Sequence, residues 1–197
     1  MREIRKITRP CFTTPAASSI STYSEWTPLT KPVIIVDYDS EWPSLYMKEK
    51  RRLTKALGSQ TREIEHIGST AVPGFAAKPI VDLMVAVDDA AQAERLQGAL
   101  AELGYDDVSK IEGNPQWFYC LGRTTPRIGY HLHLVQSGSP HWNRHILFRD
   151  HLRRDPETAR EYQTLKRGLA EKYRTEREKY TEAKTDFIQE TTARATP

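Results

Sequence analysis

The stretch HIGSTAVPGFAAKPIVDLMV, residues 66–85, decides the fold. Its end runs into a series of aliphatic and β-branched residues, 80–87, whose length and composition predict a buried strand. Alternation places Ile80, Asp82, Met84 and Ala86 on one face and Val81, Leu83, Val85 and Val87 on the other. The second set is wholly apolar and belongs in the core. Asp82 is then a lone carboxylate on an otherwise apolar strand, and a buried charge must be paired or ligate a metal. The plain structural reading is an aspartate bonded to the backbone of the loop before it. The functional reading makes it the centre of a site.

That loop follows a short strand at 64–67. Gly68 and Ser69 come directly after the strand, and Gly74 permits a second sharp bend. Glycine lets backbone N–H groups approach an anionic ligand with no side chain between. Ser69 and Thr70 add hydroxyl donors and Lys78 adds a cation. Gly-Ser-Thr alone marks many turns. Its place before a strand that carries an acid is what makes it a candidate site.

Working outward, residues 33–36 read as an edge strand behind Pro32. Ser40 is placed to cap a helix with Trp42, Leu45, Tyr46, Leu53 and Leu57 at helical spacing, ended by Gly58. A helix over 90–103 closes at Gly104. Residues 116–121 and 128–135 form a hairpin about a turn at 122–126. Pro140 opens a helix to about residue 154, and Asp155-Pro156 starts another with Tyr162, Leu165, Leu169 and Tyr173 inward. A weaker helix runs to about 190, with a break near Thr175. The order predicts an α+β domain: one mixed sheet with flanking helices, mainly on one face, and a helical C-terminal segment.

Composition sets bounds. The 197 residues hold 29 basic and 26 acidic side chains, a net charge of +3 too small to indicate a nucleic-acid binder. No apolar run approaches the roughly 20 residues of a membrane helix. Cys11 and Cys120 build neither a disulfide framework nor a zinc cluster, which points to a reducing, cytoplasmic setting. Residues 1–31 stand apart: Arg2, Arg5, Lys6 and Arg9 precede a Ser/Thr/Pro-rich stretch. They read as a flexible extension, or as a transit peptide with a mitochondrial destination. A single domain is expected over 32–193.

Histidines supply the remaining candidates. His131 and His133 lie two apart on a strand and project from one face. If that face is also Asp82's, two imidazoles and a carboxylate, with His66 nearby, form a set for acid–base chemistry or for a divalent metal ion as cofactor. The alternative is one histidine in solvent and one satisfying a backbone group. His141 and His145, four apart on a helix, read as a surface pair. Arg144, Arg149, Arg153 and Arg154 form a basic stretch that is either a face for an anionic ligand or, more simply, a solvated helix face. Tyr180 and Lys184 share a predicted helix face, with Lys184 a partner for phosphate or carboxylate, or else for Glu176 or Asp186. Arg123 and Arg127 flank the hairpin turn as guards of its mouth, and Trp117 and Trp142 read as core.

EHIGSTAVPGFAAKPIVDLMV, with DYDSEWPSLY upstream and YHLHLV, HWNRHILFRDHLRRDPETAREYQTLKRGLA and REKYTEAKTDFI downstream, resembles the GrpB family, also called UPF0157, over residues 33–188. The resemblance implies the fold of the nucleotidyltransferase superfamily and relatives fused to dephospho-CoA kinase. That superfamily uses a Gly-Ser pair, here Gly68-Ser69, and an Asp-x-Asp pair that holds two divalent cations. Asp82 matches the first carboxylate, but Met84 stands where the second belongs, and a thioether is a poor ligand for hard Mg²⁺. Three readings follow. One is an enzyme acting on an anionic small molecule, a nucleotide among the candidates. Another is the same fold turned to non-nucleotide acid–base or metal-assisted chemistry in small-molecule biosynthesis. The last is a non-catalytic ligand-binding module.

Overall fold

The structure, a computed structural model, describes residues 32–195 together with the backbone of a short strand, β1 (Arg5–Thr8). The rest of the expected extension, and with it the transit-peptide reading, lies outside the described residues.

The elements that follow are α1 (Trp42–Leu57), β2 (Ile64–Ile67), β3 (Ile80–Val87), α2 (Ala90–Glu102), β4 (Asp107–Glu112), β5 (Trp117–Thr124) and β6 (Gly129–Gln136). Four helices close the chain: α3 (Pro140–Arg154), α4 (Pro156–Lys172), α5 (Arg177–Glu182) and α6 (Thr185–Ala195). The sheet runs β1-β4-β5-β6-β3-β2, with β1–β4 and β3–β6 parallel and the other pairs antiparallel. This is the expected α+β architecture, a mixed sheet with flanking helices. β2, β3, the β5–β6 hairpin and the start of α4 lie where sequence places them. At α4, Asp155 caps as predicted, its carboxylate accepting from the Glu157 and Thr158 amides.

Four expectations need correction. Residues 33–36 form no strand: Val36 makes one bridge to Ala77, while the Val33 N–H donates to the Arg174 carbonyl. Val33 and Ile35 instead pack on Ala170, Tyr180, Leu169 and Tyr173, which draws the segment toward the α4–α5 connection. Glu41, not Ser40, precedes α1, with Asp39 accepting from the Glu41 amide. β4 was not anticipated, because only Ser109 and Ile111 of its six residues are buried and its charges hide the alternation. Finally, helices cover both faces of the sheet. Val81, Leu83, Val85 and Val87 face α1 and α2 through Leu53, Leu57, Leu96 and Leu100. Met84 and Ala86 face α3 through Trp142 and Ile146. β3 is thus buried on both sides, and each large aliphatic side chain removed from water there contributes roughly 1.5–3 kcal/mol.

A second cluster decides where α4 sits. Val72 and Phe75 of the loop pack against Leu152, Tyr162, Phe148 and Phe187, joining the loop to α3, α4 and α6.

The α1 face contains one buried charge. Glu49 is 2% exposed and accepts from the Tyr105 hydroxyl at 3.0 Å, from Arg52 at 2.8 Å and from Arg123 at 3.0 Å. Removing one partner of such a group leaves the others buried without compensation. Glu49→Leu is expected to cost about 3 kcal/mol in urea unfolding, and Tyr105→Phe about 1 kcal/mol. Equal small losses would show that the network is only surface charge.

Candidate functional site

The parallel register of β3 and β6 pairs Asp82 with His131 and Met84 with His133. Parallel partners share a face, so the carboxylate and both imidazoles meet. His131 Nδ1 lies 3.2 Å from Asp82 Oδ1, and His133 Nε2 lies 3.7 Å from the same oxygen. Burial alone would raise the Asp82 pKa, but the two imidazoles hold it well below the usual carboxylate range. Burial lowers His131 to about 4 despite Asp82. His133 is disfavoured as a cation by burial too, yet Cys120 and Asp82 outweigh this and hold its pKa above that of a free imidazole. The carboxylate is favoured in its ionised form, and the two imidazoles are pushed in opposite directions, His131 away from the cation and His133 toward it.

The Gly-Ser turn lies against this carboxylate. Gly68 has φ of 71°, and a Cβ built on it would sit 2.6 Å from Asp82 Oδ2. Only glycine gives both the conformation and the space. Ser69, half-buried, accepts a hydrogen bond from Lys166 Nζ at 2.9 Å. Lys166 is 2% exposed, donates also to the Ala76 carbonyl at 2.7 Å, and stands 3.9 Å from the Phe75 ring centroid. Burial, and then the charges of Lys184, Lys78 and Arg167, lower its pKa to about 6. Lys184 and Lys78 both approach the Tyr180 ring, at 4.2 and 5.4 Å. Burial lowers Lys184 to about 8, with Asp82 opposing and Arg177 assisting.

Of the residues expected at the site, Asp82, His131, His133, Gly68, Ser69, Lys78, Tyr180 and Lys184 are thus placed around one carboxylate and one turn. Tyr180 and Lys184 do not share a helix. α5 ends at Glu182, and Lys184 reaches the ring from the turn before α6. Three others serve structure. His66 pairs with Leu83 and so lies on the α1 face, stacked on Tyr46 at 4.6 Å. Burial lowers its pKa to about 4. Thr70 donates to the Ile80 carbonyl, so its oxygen accepts from His66 Nε2 at 3.0 Å, which fixes the neutral Nε2–H tautomer. Neither group offers a donor to a ligand. Arg127 pairs with Asp39 and Glu41 and ties the hairpin turn to the entry of α1, while Arg123 joins Glu49.

Asp82, His131 and His133, the expected metal ligands, come together on one face of the sheet. Both imidazoles direct a nitrogen at one carboxylate oxygen. Among the described residues no group of three or more His, Cys, Asp or Glu side chains is disposed to hold a metal ion. Met84 is fully buried in the core beneath α3.

Lys166 was missed, and so were two arginines of α3. Arg149 is buried, pairs with Glu65 and Asp150, and donates to the His66 carbonyl at 3.0 Å. Arg153 donates to the Ala71 carbonyl at 2.8 Å. Both hold the turn by its backbone, Arg149 from a buried position and Arg153 from an exposed one. His141, expected at the surface, is 1% exposed, stacked on Trp117 and edge-on to His145.

A family model described as GrpB protein matches residues 32–194. The chain is 35% identical over 161 residues to the glutamate-rich protein GrpB of Alkalihalophilus pseudofirmus, covering 80% of this chain and 92% of that protein. It is 40% identical over 152 residues to a UPF0157 protein of Streptomyces coelicolor, covering 77% and 78% of the two. A dephospho-CoA kinase of Mycolicibacterium paratuberculosis is 28% identical over 187 residues, and the match spans 83% of this chain but 46% of the kinase. Among solved structures, the conserved protein GrpB from Enterococcus faecalis superposes with a TM-score of 0.72 at 31% identity, covering 82% of this chain and 96% of that one. These relatives are bacterial, which weighs against the mitochondrial reading. Among the described residues no helix is long and apolar enough to cross a membrane.

Two predictions follow from the geometry. Gly68→Ala is expected to destabilise by about 2–4 kcal/mol, from the positive φ and the clash with Asp82. Asp82→Ala in the same chain should recover at least about 1 kcal/mol as measured coupling, and strict additivity would contradict the contact. The second concerns pH. His66, His131, His141 and His145 all have folded pKa values of about 4 or less, below the ordinary 6.5, through burial. Below pH 6.5 the unfolded chain gains protons that the native state refuses, so stability falls as pH drops toward 4. Each group contributes up to about 1.4 kcal/mol per pH unit. Asp82 and His133 add no slope in that window, being equally protonated in both states across most of it. Urea midpoints should fall steadily from neutrality to pH 5, with a shallower slope in His141→Gln; a flat profile contradicts neutral burial.

Proposed function

The chain belongs to the GrpB family, and from that premise we propose that it is an enzyme performing acid–base chemistry on an anionic small molecule at the Asp82 site. The observation that carries this reading is the gathering of Lys184 and Lys78 at the Tyr180 ring, close enough to buried Lys166 that, after burial, their charges lower its pKa further. The two oxygens that Lys166 engages, Ser69 Oγ and the Ala76 carbonyl, are uncharged. An anion placed there relieves like-charge repulsion, and Coulomb attraction strengthens as water leaves the site.

The proton-moving part is the carboxylate–imidazole set. Asp82 accepts from His131 Nδ1, which leaves Nε2 as the basic nitrogen of a neutral ring oriented by its carboxylate. His133, held as the cation beside the same oxygen, is the complementary acid. One site then contains a base and an acid whose states differ because their surroundings differ. Met84 favours proton transfer over nucleotidyl transfer, since its place on the strand offers no second carboxylate for a pair of cations.

The reading is tested by thermal unfolding against pyrophosphate, citrate and ATP with and without Mg²⁺. A ligand at about ten times its Kd adds about 1.4 kcal/mol, a rise of roughly 3–6 °C for a chain of this size. Lys184→Ala should remove most of the rise. Asp82→Asn should retain a bound anion while losing turnover of the substrate that a metabolite screen identifies. No rise with any of these anions at millimolar concentration would sink the proposal, and binding without turnover would make the protein a ligand-binding module.

A further inference from the structure

Ser69 and Lys166 meet in a way that recognition of an anion does not require. Ser69 stands half-buried beside exposed Gly68, and its hydroxyl touches Lys166 Nζ at 2.9 Å. Lys166 is held from two directions. Its Nζ donates to the Ala76 carbonyl at 2.7 Å, and the Ala76 amide donates to Gln163 Oε1, one turn earlier on α4, at 2.7 Å. The amine therefore has a fixed position relative to the serine. Phe75 and Tyr162 enclose it, with ring centroids at 3.9 and 5.3 Å. We propose that Ser69 and Lys166 form a nucleophile–base pair that gives this site a covalent acyl-transfer activity toward small anionic esters or thioesters.

The charge balance around the lysine supports the neutral amine. Lys78 faces it from the loop, Lys184 from the α5–α6 turn and Arg167 from its own helix; the carboxylate of Asp82 acts on Lys184, and the Tyr162 hydroxyl lies on the same side of α4. Burial and these cations bring its pKa to about 6, while the Phe75 ring partly compensates the charged form and keeps the group titratable near neutrality. Charged Lys166 donates to Ser69 Oγ. Once deprotonated it has a lone pair, and the same contact lets Oγ–H donate to Nζ.

The steps balance. Ser69 Oγ attacks the acyl carbon of R–CO–X while its proton passes to Nζ. The C–X bond breaks, and Lys166 returns the proton to X, releasing HX and leaving the seryl ester. Water, losing a proton to His131 Nε2, then attacks the ester; the bond from the acyl carbon to the Ser69 oxygen breaks, that oxygen takes back the proton held by His131, and R–CO–OH departs. The substrate's negative charge rests on the proposed anion site and the hydrolytic step on the proposed His131 base, and in those two respects this inference depends on the preceding one.

A fluorophosphonate probe tests the pair without knowledge of the substrate, because Oγ displaces fluoride at phosphorus and Lys166 carries the proton to it. Peptide mapping of the full chain should find one adduct, on Ser69, formed at a rate that rises with pH through about 6 and then levels. Lys166→Met should slow labelling on the order of 100-fold, and Lys166→Arg should do the same while keeping charge and bulk, since a guanidinium does not act as base. Absence of a Ser69 adduct in the unmodified chain overturns the proposal, as does unchanged labelling in folded Lys166→Arg. If both variants unfold, a wild-type rate that stays flat through that pH overturns it. Labelling at Ser69 with no anion-induced thermal shift would fail the preceding reading and leave this one standing.

Discussion

An ionised carboxylate on a strand buried from both sides is the constraint from which the site follows. Asp82 sits between the hydrophobic residues of β3, and a charge in that position is tolerated only with partners. The parallel partner strand supplies His131 and His133 on the same face, and the turn after β2 supplies a residue without a side chain. Gly68 is therefore as much a consequence of Asp82 as the histidines are. Any side chain at 68 would occupy the volume of the carboxylate.

A turn pressed against a charge has to be held, and here it is held mostly by side chains from helices far along the chain. Arg149 and Arg153 of α3 take the His66 and Ala71 carbonyls, Gln163 and Lys166 of α4 take both polar groups of Ala76, and Thr70 closes onto Ile80. Buried backbone groups that lack a ladder partner need such bonds. The result is a preorganised loop whose position is set by α3 and α4, and whose half-buried Ser69 faces a buried amine.

Much of this was legible from the chain. Residues 80–87 declare themselves by alternation, and the His131/His133 spacing places both imidazoles on one face whichever neighbour the strand has. The parallel pairing that brings them to Asp82 is long-range and has no local signal. Lys166 was hidden for another reason, since a lysine on an amphipathic helix normally extends its head to water. A signal did exist: it lies four residues after Tyr162 and four before Ala170, inside the apolar stripe. Arg149 was obscured in the same way by its basic neighbours. His66 and Thr70 misled because short polar residues in a turn look alike whether they bond a ligand or each other, and only the antiparallel register shows His66 to face α1. β4 escaped because an edge-region strand with charged outer positions has too few apolar residues to reveal its period.

The two faces of the sheet divide the work. On the α1–α2 side the one buried charge, Glu49, is satisfied by Arg52, Arg123 and Tyr105, and a continuous aliphatic core surrounds it. On the other side lie three neutral histidines, a charged one, a desolvated lysine and Asp82, several of them held in states that cost folding free energy. Groups whose protonation is displaced from the ordinary value lower stability by that displacement when the solvent favours the other state. Such a concentration is not needed to close a sheet, because apolar residues of the same volume would pack there with less penalty. Strain confined to one face and offset by the other is what a site under functional constraint looks like in energetic terms. The apolar face offsets the penalty of the polar one.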